Sequence, residues 1–285
     1  MNKDNLPNIG TVAIAEIDGL SIRYARGGAS KETHILITAP YPESFYAFHR
    51  LVPHLVTEHP VLLVDLPGFG HSQGRPDVMA PGAMGNFLIK LLRYFGVSRT
   101  HAVSPDVGTP AVLFAASKQQ DLFESLVIGG AAMQPDLAAG VLKDLIYSPA
   151  GALAEAGSDA VKPYLDHAAQ LTPAAIIEDF RSASAGRRFE EATQFVRAYI
   201  KDSPKLEPQL KTIKTPALII AGKDDPIVPP INGQFLADRL PNNRYILLNA
   251  QHRYWEEAAG KYIETLTSWF GGEYQAFEKT LQATQ

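Results

Sequence analysis

The segment Ser104-Pro105-Asp106-Val107-Gly108 sets a carboxylate between two small residues. A short apolar run precedes it and a helix-forming run from Pro110 to Ala116 follows. Small–x–nucleophile–x–small is the pattern of a strand-to-helix elbow, whose crowded backbone admits only small side chains two positions either side of the reactive one. Centred on Asp106, those flanks are Ser104 and Gly108. Centred on Ser104 they would be Ala102 and Asp106, and the next residue, Pro105, has no N–H to lend to an oxyanion. A carboxylate at an elbow can attack an alkyl carbon or move a proton, whereas a hydroxyl there would transfer acyl groups. The plainer alternative is a surface turn with a helix-capping Asp.

The elements that would hold such a carboxylate alternate along the chain. Residues 12–17 and 20–24 flank Asp18-Gly19 as a hairpin. Residues 34–38, 61–65, 125–129, 216–222 and 244–248, with an elbow strand ending at Val103 or Ser104, read as further strands. Most of these runs are apolar throughout rather than alternating, which suits strands covered on both faces of a parallel sheet. Helical spacing marks 44–57, 82–95, 233–240 and 255–270. This alternation predicts an α/β fold with crossover connections. Strand patterning is absent from 134 to 210, where helical stretches cover 137–147, 158–170, 173–184 and 188–201. The expected organisation is a core from residues 1–133 and 211–285, with an inserted helical cap over 134–210 roofing the site.

Composition narrows the function. The chain has 285 residues, 46% hydrophobic and 20% charged, with a net charge of −4. That is ordinary for a globular protein and, with no basic run, gives no reason to expect nucleic acid. The absence of cysteine removes disulfides and thiolate metal sites. No apolar run approaches the roughly 18 residues of a membrane span. The start, Met1-Asn2-Lys3-Asp4-Asn5-Leu6-Pro7, lacks the apolar core of a secretion signal. His49, His54 and His59 have no metal-ligand context. The expectation is a cytoplasmic protein with a small-molecule substrate, no cofactor, no metal, and no nucleic-acid or membrane partner; self-association stays open.

Four stretches, in order, resemble the α/β-hydrolase fold family over residues 12–272. Asp65-Leu66-Pro67-Gly68-Phe69-Gly70-His71-Ser72 is similar to the family's loop after its fourth strand. The elbow at Asp106 follows. Ala221-Gly222-Lys223-Asp224-Asp225-Pro226-Ile227-Val228-Pro229 resembles the segment carrying the family's acid, and Asn249-Ala250-Gln251-His252 stands where its histidine follows the last strand. The resemblance implies a mostly parallel twisted sheet flanked by helices, with a helical cap. It also implies the order nucleophile, acid, histidine as Asp106, Asp225, His252, with Asp224 an adjacent competitor for the acid and Asp65 a structural residue.

An aspartate at the elbow resembles the epoxide hydrolase and haloalkane dehalogenase branch. In that branch a carboxylate attacks an sp³ carbon and leaves an ester on the enzyme. Histidine then draws a proton from the water that attacks the ester, and a second carboxylate orients the histidine. The resemblance assigns these roles to Asp106, His252 and Asp225, and the oxyanion hole to the amides of Val107 and Tyr41. The chain departs from the branch in two places. Thr38-Ala39-Pro40-Tyr41-Pro42-Glu43-Ser44 stands for its H-G-x-P loop, with Pro40 unable to donate an N–H, so that Tyr41 is the remaining donor. Val107 stands where haloalkane dehalogenases carry a halide-binding Trp, which disfavours dehalogenation. The cap offers Tyr147, Tyr164 and Tyr199 as phenols for an opening oxygen, and Tyr147 and Tyr164 are expected to line the pocket. The expected function is an epoxide hydrolase-like enzyme acting through an alkyl-aspartyl ester on a small apolar metabolite. The competing readings are a non-covalent acid–base enzyme (cyclase, lyase or isomerase), a haloalkane dehalogenase and a ligand-binding protein without turnover.

Overall fold

The apolar runs become strands where helices can cover both of their faces. The computed structural model describes residues 7–29 and 33–277. Residues 1–6, part of the stretch read for a secretion signal, lie outside the described residues. One sheet holds β1 (Thr11–Ile17), β2 (Leu20–Gly28), β3 (His34–Thr38), β4 (Pro60–Val64), β5 (Thr100–Val103), β6 (Phe123–Ile128), β7 (Ala217–Gly222) and β8 (Asn243–Leu248). Their spatial order is β1-β2-β4-β3-β5-β6-β7-β8. β1 pairs antiparallel with β2, and β2 antiparallel with β4; every later pair is parallel. Every residue of β5 and β7 is buried, which explains why neither alternates in polarity.

The helices are α1 (Val52–Leu55), α2 (Pro81–Tyr94), α3 (Gly108–Lys118), α4 (Gly140–Tyr147), α5 (Lys162–Ala168), α6 (Ala174–Ala183), α7 (Arg188–Arg197), α8 (Tyr199–Leu210), α9 (Ile231–Ala237), α10 (Tyr254–Glu257) and α11 (Ala259–Ser268). Leu88 and Leu92 of α2, Val112 of α3 and Leu236 of α9 fill the core on one face of the sheet. Leu55 of α1, Trp255 of α10 and Leu266 of α11 fill the core on the other. Because β3, β5, β7 and β8 run in one direction in register, the loops after them emerge together at the sheet's carboxyl edge. That edge is where ligands bind in open α/β sheets.

Several helical expectations differ in detail; the stretch 158–170, for one, is a 3₁₀ turn (Gly157–Val161) followed by α5. The helix expected over 44–57 is a 3₁₀ turn (Phe45–Phe48) followed by the short α1. Pro53 has no N–H to return to His49, so one helix cannot run through both segments. The stretch 188–201 is divided between α7 and α8 at Ala198. The last helix is divided at Ala258, and its end widens into a π turn over Trp269–Glu273.

Helices α4–α8 lie between β6 and β7. α8 leaves this group to pack on α2 and α3, where Leu206 and Leu210 join the core. A buried ionic knot ties α6 to the sheet. Arg23 of β2 forks onto the Asp179 carboxylate at 3.0 and 3.1 Å and faces Asp65 at 2.9 Å. Ser44 donates to Asp179 at 2.6 Å, and His71 lies 3.1 Å from the same carboxylate. Burial alone would raise the Asp179 pKa, but His71 and Arg23 outweigh it and hold it well below the usual carboxylate range. Arg188 of α7 donates to the carbonyls of Gly70 and Ser72. Removing one partner from such a knot strands buried charge. Asp179→Ala is therefore expected to lower unfolding free energy by about 3–5 kcal/mol, measured by urea titration against the unaltered protein.

Candidate active site

β5 ends at Val103 and α3 begins at Gly108, so four residues make the turn between them. The turn closes only because Gly108 lacks a side chain: a Cβ there would sit 2.2 Å from Thr38 Oγ1 and 3.1 Å from Ser104 Cβ. Asp106, at its apex, has a φ of 55°, in the left-handed region that non-glycine residues seldom occupy. Its own N–H donates to the Gly129 carbonyl at 2.8 Å. Thr109 Oγ1 adds bonds to the Ser104 and Gly129 carbonyls. Ser104 is fully buried, so it offers no hydroxyl to a substrate.

Each oxygen of the Asp106 carboxylate has a different environment. Oδ1 accepts the backbone N–H of Tyr41 at 2.9 Å and of Val107 at 2.7 Å. Oδ2 faces His252 Nε2 at 3.3 Å. On the far side of the imidazole, Nδ1 lies 2.7 Å from Asp225 Oδ2. Asp225 is fixed in turn, because its Oδ1 accepts the N–H groups of Ile227 and Val228, both at 2.8 Å. Asp224 is exposed and reaches the His252 loop only through its backbone N–H. Burial alone would lower the pKa of His252; the Asp225 and Asp106 carboxylates on either side outweigh it and raise it to about 10. The imidazole is therefore protonated at neutral pH.

The family profile of the alpha/beta hydrolase fold matches residues 33–259. The chain belongs to this family. This α/β-hydrolase is 27% identical over 239 residues to a 2-hydroxy-6-oxononadienedioate/2-hydroxy-6-oxononatrienedioate hydrolase of Paraburkholderia phymatum, which covers 79% of this chain and 82% of that one. The enol-lactonase of Burkholderia xenovorans LB400 superposes with a TM-score of 0.73 at 20% identity, over 91% of this chain and 100% of its own. A hydrolase of Pseudomonas aeruginosa PA01 gives 0.77 at 24%, over 93% and 100%. At these identities the two structures show the fold alone.

In this hydrolase a mostly apolar cavity opens above Asp106 and His252. The sheet side supplies Tyr41 and Val107, and the helices between β6 and β7 supply Leu142, Tyr164, Phe189 and Tyr199. The structure thus gathers Asp106, His252, Asp225, Val107, Tyr41 and Tyr164. It does not bring in Tyr147, which was expected to line the pocket. Tyr147 is 52% exposed and its hydroxyl donates to Asp136 at 3.0 Å. Leu145 of the same helix lines the cavity, and at about 100° per residue a side chain two positions later points away from it. Tyr199 takes the place expected of Tyr147. It stands just past the break between α7 and α8, beside Val196 at the cavity wall, and no sequence signal singled it out from Tyr147. Glu43, fully buried behind Tyr164 and bonded to its hydroxyl, had no such signal either.

The three cavity phenols differ in where their hydrogens go. The Thr193 hydroxyl donates to the Phe189 carbonyl at 2.7 Å, which leaves its oxygen to accept from Tyr41 at 3.0 Å. Tyr164 donates to Glu43 Oε1 at 2.9 Å. The Tyr199 hydroxyl has no hydrogen-bond partner among the described residues, and burial, with Asp106 nearby, holds its pKa well above the usual phenol value. It is a neutral donor. Among the described residues, no group of three or more His, Asp or Glu side chains could hold a metal, and no helix is long and apolar enough to cross a membrane. An NMR titration of labelled His252 is expected to give a pKa near 10. In Asp106→Asn the value should fall by roughly 1–3 units, because one of the two flanking charges is gone.

Proposed function

We propose that this α/β-hydrolase opens a neutral, largely apolar epoxide through an ester formed on Asp106. The observation that carries this reading is the placement of Asp106 Oδ1 on the amides of Tyr41 and Val107. An enzyme that attacks a substrate ester needs those two donors for the substrate's carbonyl oxygen. Here they are taken by the carboxylate itself, so Oδ2 is the oxygen that attacks, and the tetrahedral oxyanion of the second step forms on Oδ1, already in its hole.

The proton balance follows from the three groups. Oδ2 attacks an epoxide carbon, the C–O bond breaks, and the alkoxide takes the proton of Tyr199. Ester formation removes the charge of Asp106, which loosens the His252 proton, and that proton restores the phenol. The neutral imidazole, oriented by Asp225, then takes a proton from water while hydroxide adds to the ester carbonyl. Collapse releases the diol, whose oxygen takes the proton of the new carboxyl group, restoring the Asp106 carboxylate and the His252 imidazolium. Val107 offers no side-chain donor to a leaving halide. The cavity lining contains no arginine or lysine, so the carboxylates of a dienedioate, the substrate named for the Paraburkholderia relative, would be buried there unpaired. That favours a neutral substrate.

The decisive experiment is a single turnover of styrene oxide, within a panel of neutral aryl and alkyl epoxides, in H₂¹⁸O with enzyme in excess. Label is expected in the Asp106 peptide and not in the first diol released. Label in the diol alone would mean general-base hydration without a covalent step, and inertness toward the whole panel would remove the epoxide reading. His252→Gln is expected to accumulate the ester on Asp106, seen by intact mass, with kcat down about 10²–10⁴-fold. Tyr199→Phe should lower the rate of ester formation about 10²-fold with little change in ester hydrolysis, read by pre-steady-state quench.

A further inference from the structure

Behind the cavity wall lies a buried charge cluster that none of the proposed steps uses. Glu43 is fully buried. Its carboxylate accepts from Arg253 Nε at 2.5 Å, from Trp255 Nε1 at 3.2 Å and from the Tyr164 hydroxyl at 2.9 Å. Arg253, next in the chain to His252, is itself buried; its Nη2 donates to Thr172 at 2.8 Å and its guanidinium lies 5.8 Å from the Tyr164 ring centroid. A carboxylate paired with arginine is acceptor-only. The hydrogen of Tyr164 must therefore point at Glu43, away from the ligand. What Tyr164 can still offer to the cavity is an oxygen lone pair.

We infer that Tyr164, locked by Glu43 as a hydrogen-bond acceptor, selects substrates that carry a hydroxyl or N–H group beside the reacting carbon. This deepens the reading of the cavity as an epoxide site, and its recognition step stands or falls separately from the chemistry. The polar map of the cavity is then asymmetric. Tyr199 donates to the oxygen being opened, and Tyr164 accepts from a second group on the ligand. Tyr164 is a specificity-determining residue, not a proton donor. A site built to bond a donor discriminates against the analogue lacking it, because its own polar atom is left unmatched.

The test compares 3-phenyl-1-propanol with its methyl ether, which keeps the oxygen but has no donor. Dissociation constants are measured by calorimetry on the wild-type protein and on Tyr164→Phe, which keeps the ring. The alcohol is expected to bind the wild type about 10-fold more tightly than the ether. In Tyr164→Phe the two should agree within about 2-fold through weaker binding of the alcohol alone. A wild-type ratio near one, a preference that survives in Tyr164→Phe, or an equal loss for both ligands would each overturn the inference. Turnover of 3-phenylglycidol and its methyl ether is read alongside. Inertness toward both epoxides with the alcohol preference intact would remove the epoxide reading and leave the recognition role standing. Equal kcat/KM for the two epoxides, with no preference in binding, would do the reverse.

Discussion

Asp106 Oδ1 takes two backbone N–H groups, from Tyr41 and Val107, and the remainder of the site is arranged around that fixed oxygen. The bonds hold the carboxylate in one orientation, so that its other oxygen is the one turned toward His252. They also satisfy one oxygen of a buried carboxylate with donors that are part of the main chain, while the other faces the His252 imidazole. The arrangement requires Asp106 to stand at a φ of 55°, and the surrounding turn supplies the constraint: a glycine that meets Thr38 closely, and the hydroxyl of Thr109 bonded to two carbonyls. Strain at one residue persists because its neighbours leave it no other conformation.

Electrostatics then divide labour between two carboxylates. Asp225 is bonded to two amides and to the imidazole and keeps its charge throughout the proposed cycle. In that proposed cycle Asp106 would lose its charge on forming the ester. The same histidine therefore holds its proton against two carboxylates in the free enzyme and against one in the intermediate. A change of basicity in the middle of the cycle comes from the chemistry itself, with no conformational step.

Among the helices between β6 and β7, which contribute to the cavity wall, charge ties two to the sheet and its loops. The Arg23–Asp179 fork joins a strand at the sheet's antiparallel side to α6, and Arg188 of α7 donates to the loop that Asp65 organises. Asp65 accepts the N–H groups of Phe45 and His71. The same group of helices carries Tyr164 and Tyr199 into the cavity, and Glu43 and Arg253 brace Tyr164 from the sheet side. Their position and the polarity presented to a ligand are thus set by interactions between elements far apart in the chain.

The strands, their apolar character, the elbow and the order Asp106, Asp225, His252 were legible in the sequence, because each depends on a local run: an apolar stretch, two small flanks, an acidic residue before a Pro-containing turn, a histidine after the last strand. That Asp106 and not Ser104 stands at the apex of the turn was legible too, from the small flanks at Ser104 and Gly108. What only tertiary structure decided were properties of facing surfaces. Tyr147 and Tyr199 are both phenols on helices of the same region, and the rotation of α4 turned one outward while the end of α7 and start of α8 turned the other in. The hydrogen-bond direction of Tyr164 depends on Glu43, 121 residues away, and on the arginine that keeps Glu43 an acceptor. No local pattern encodes such a direction, because it is fixed by which buried groups meet once the chain has closed on itself.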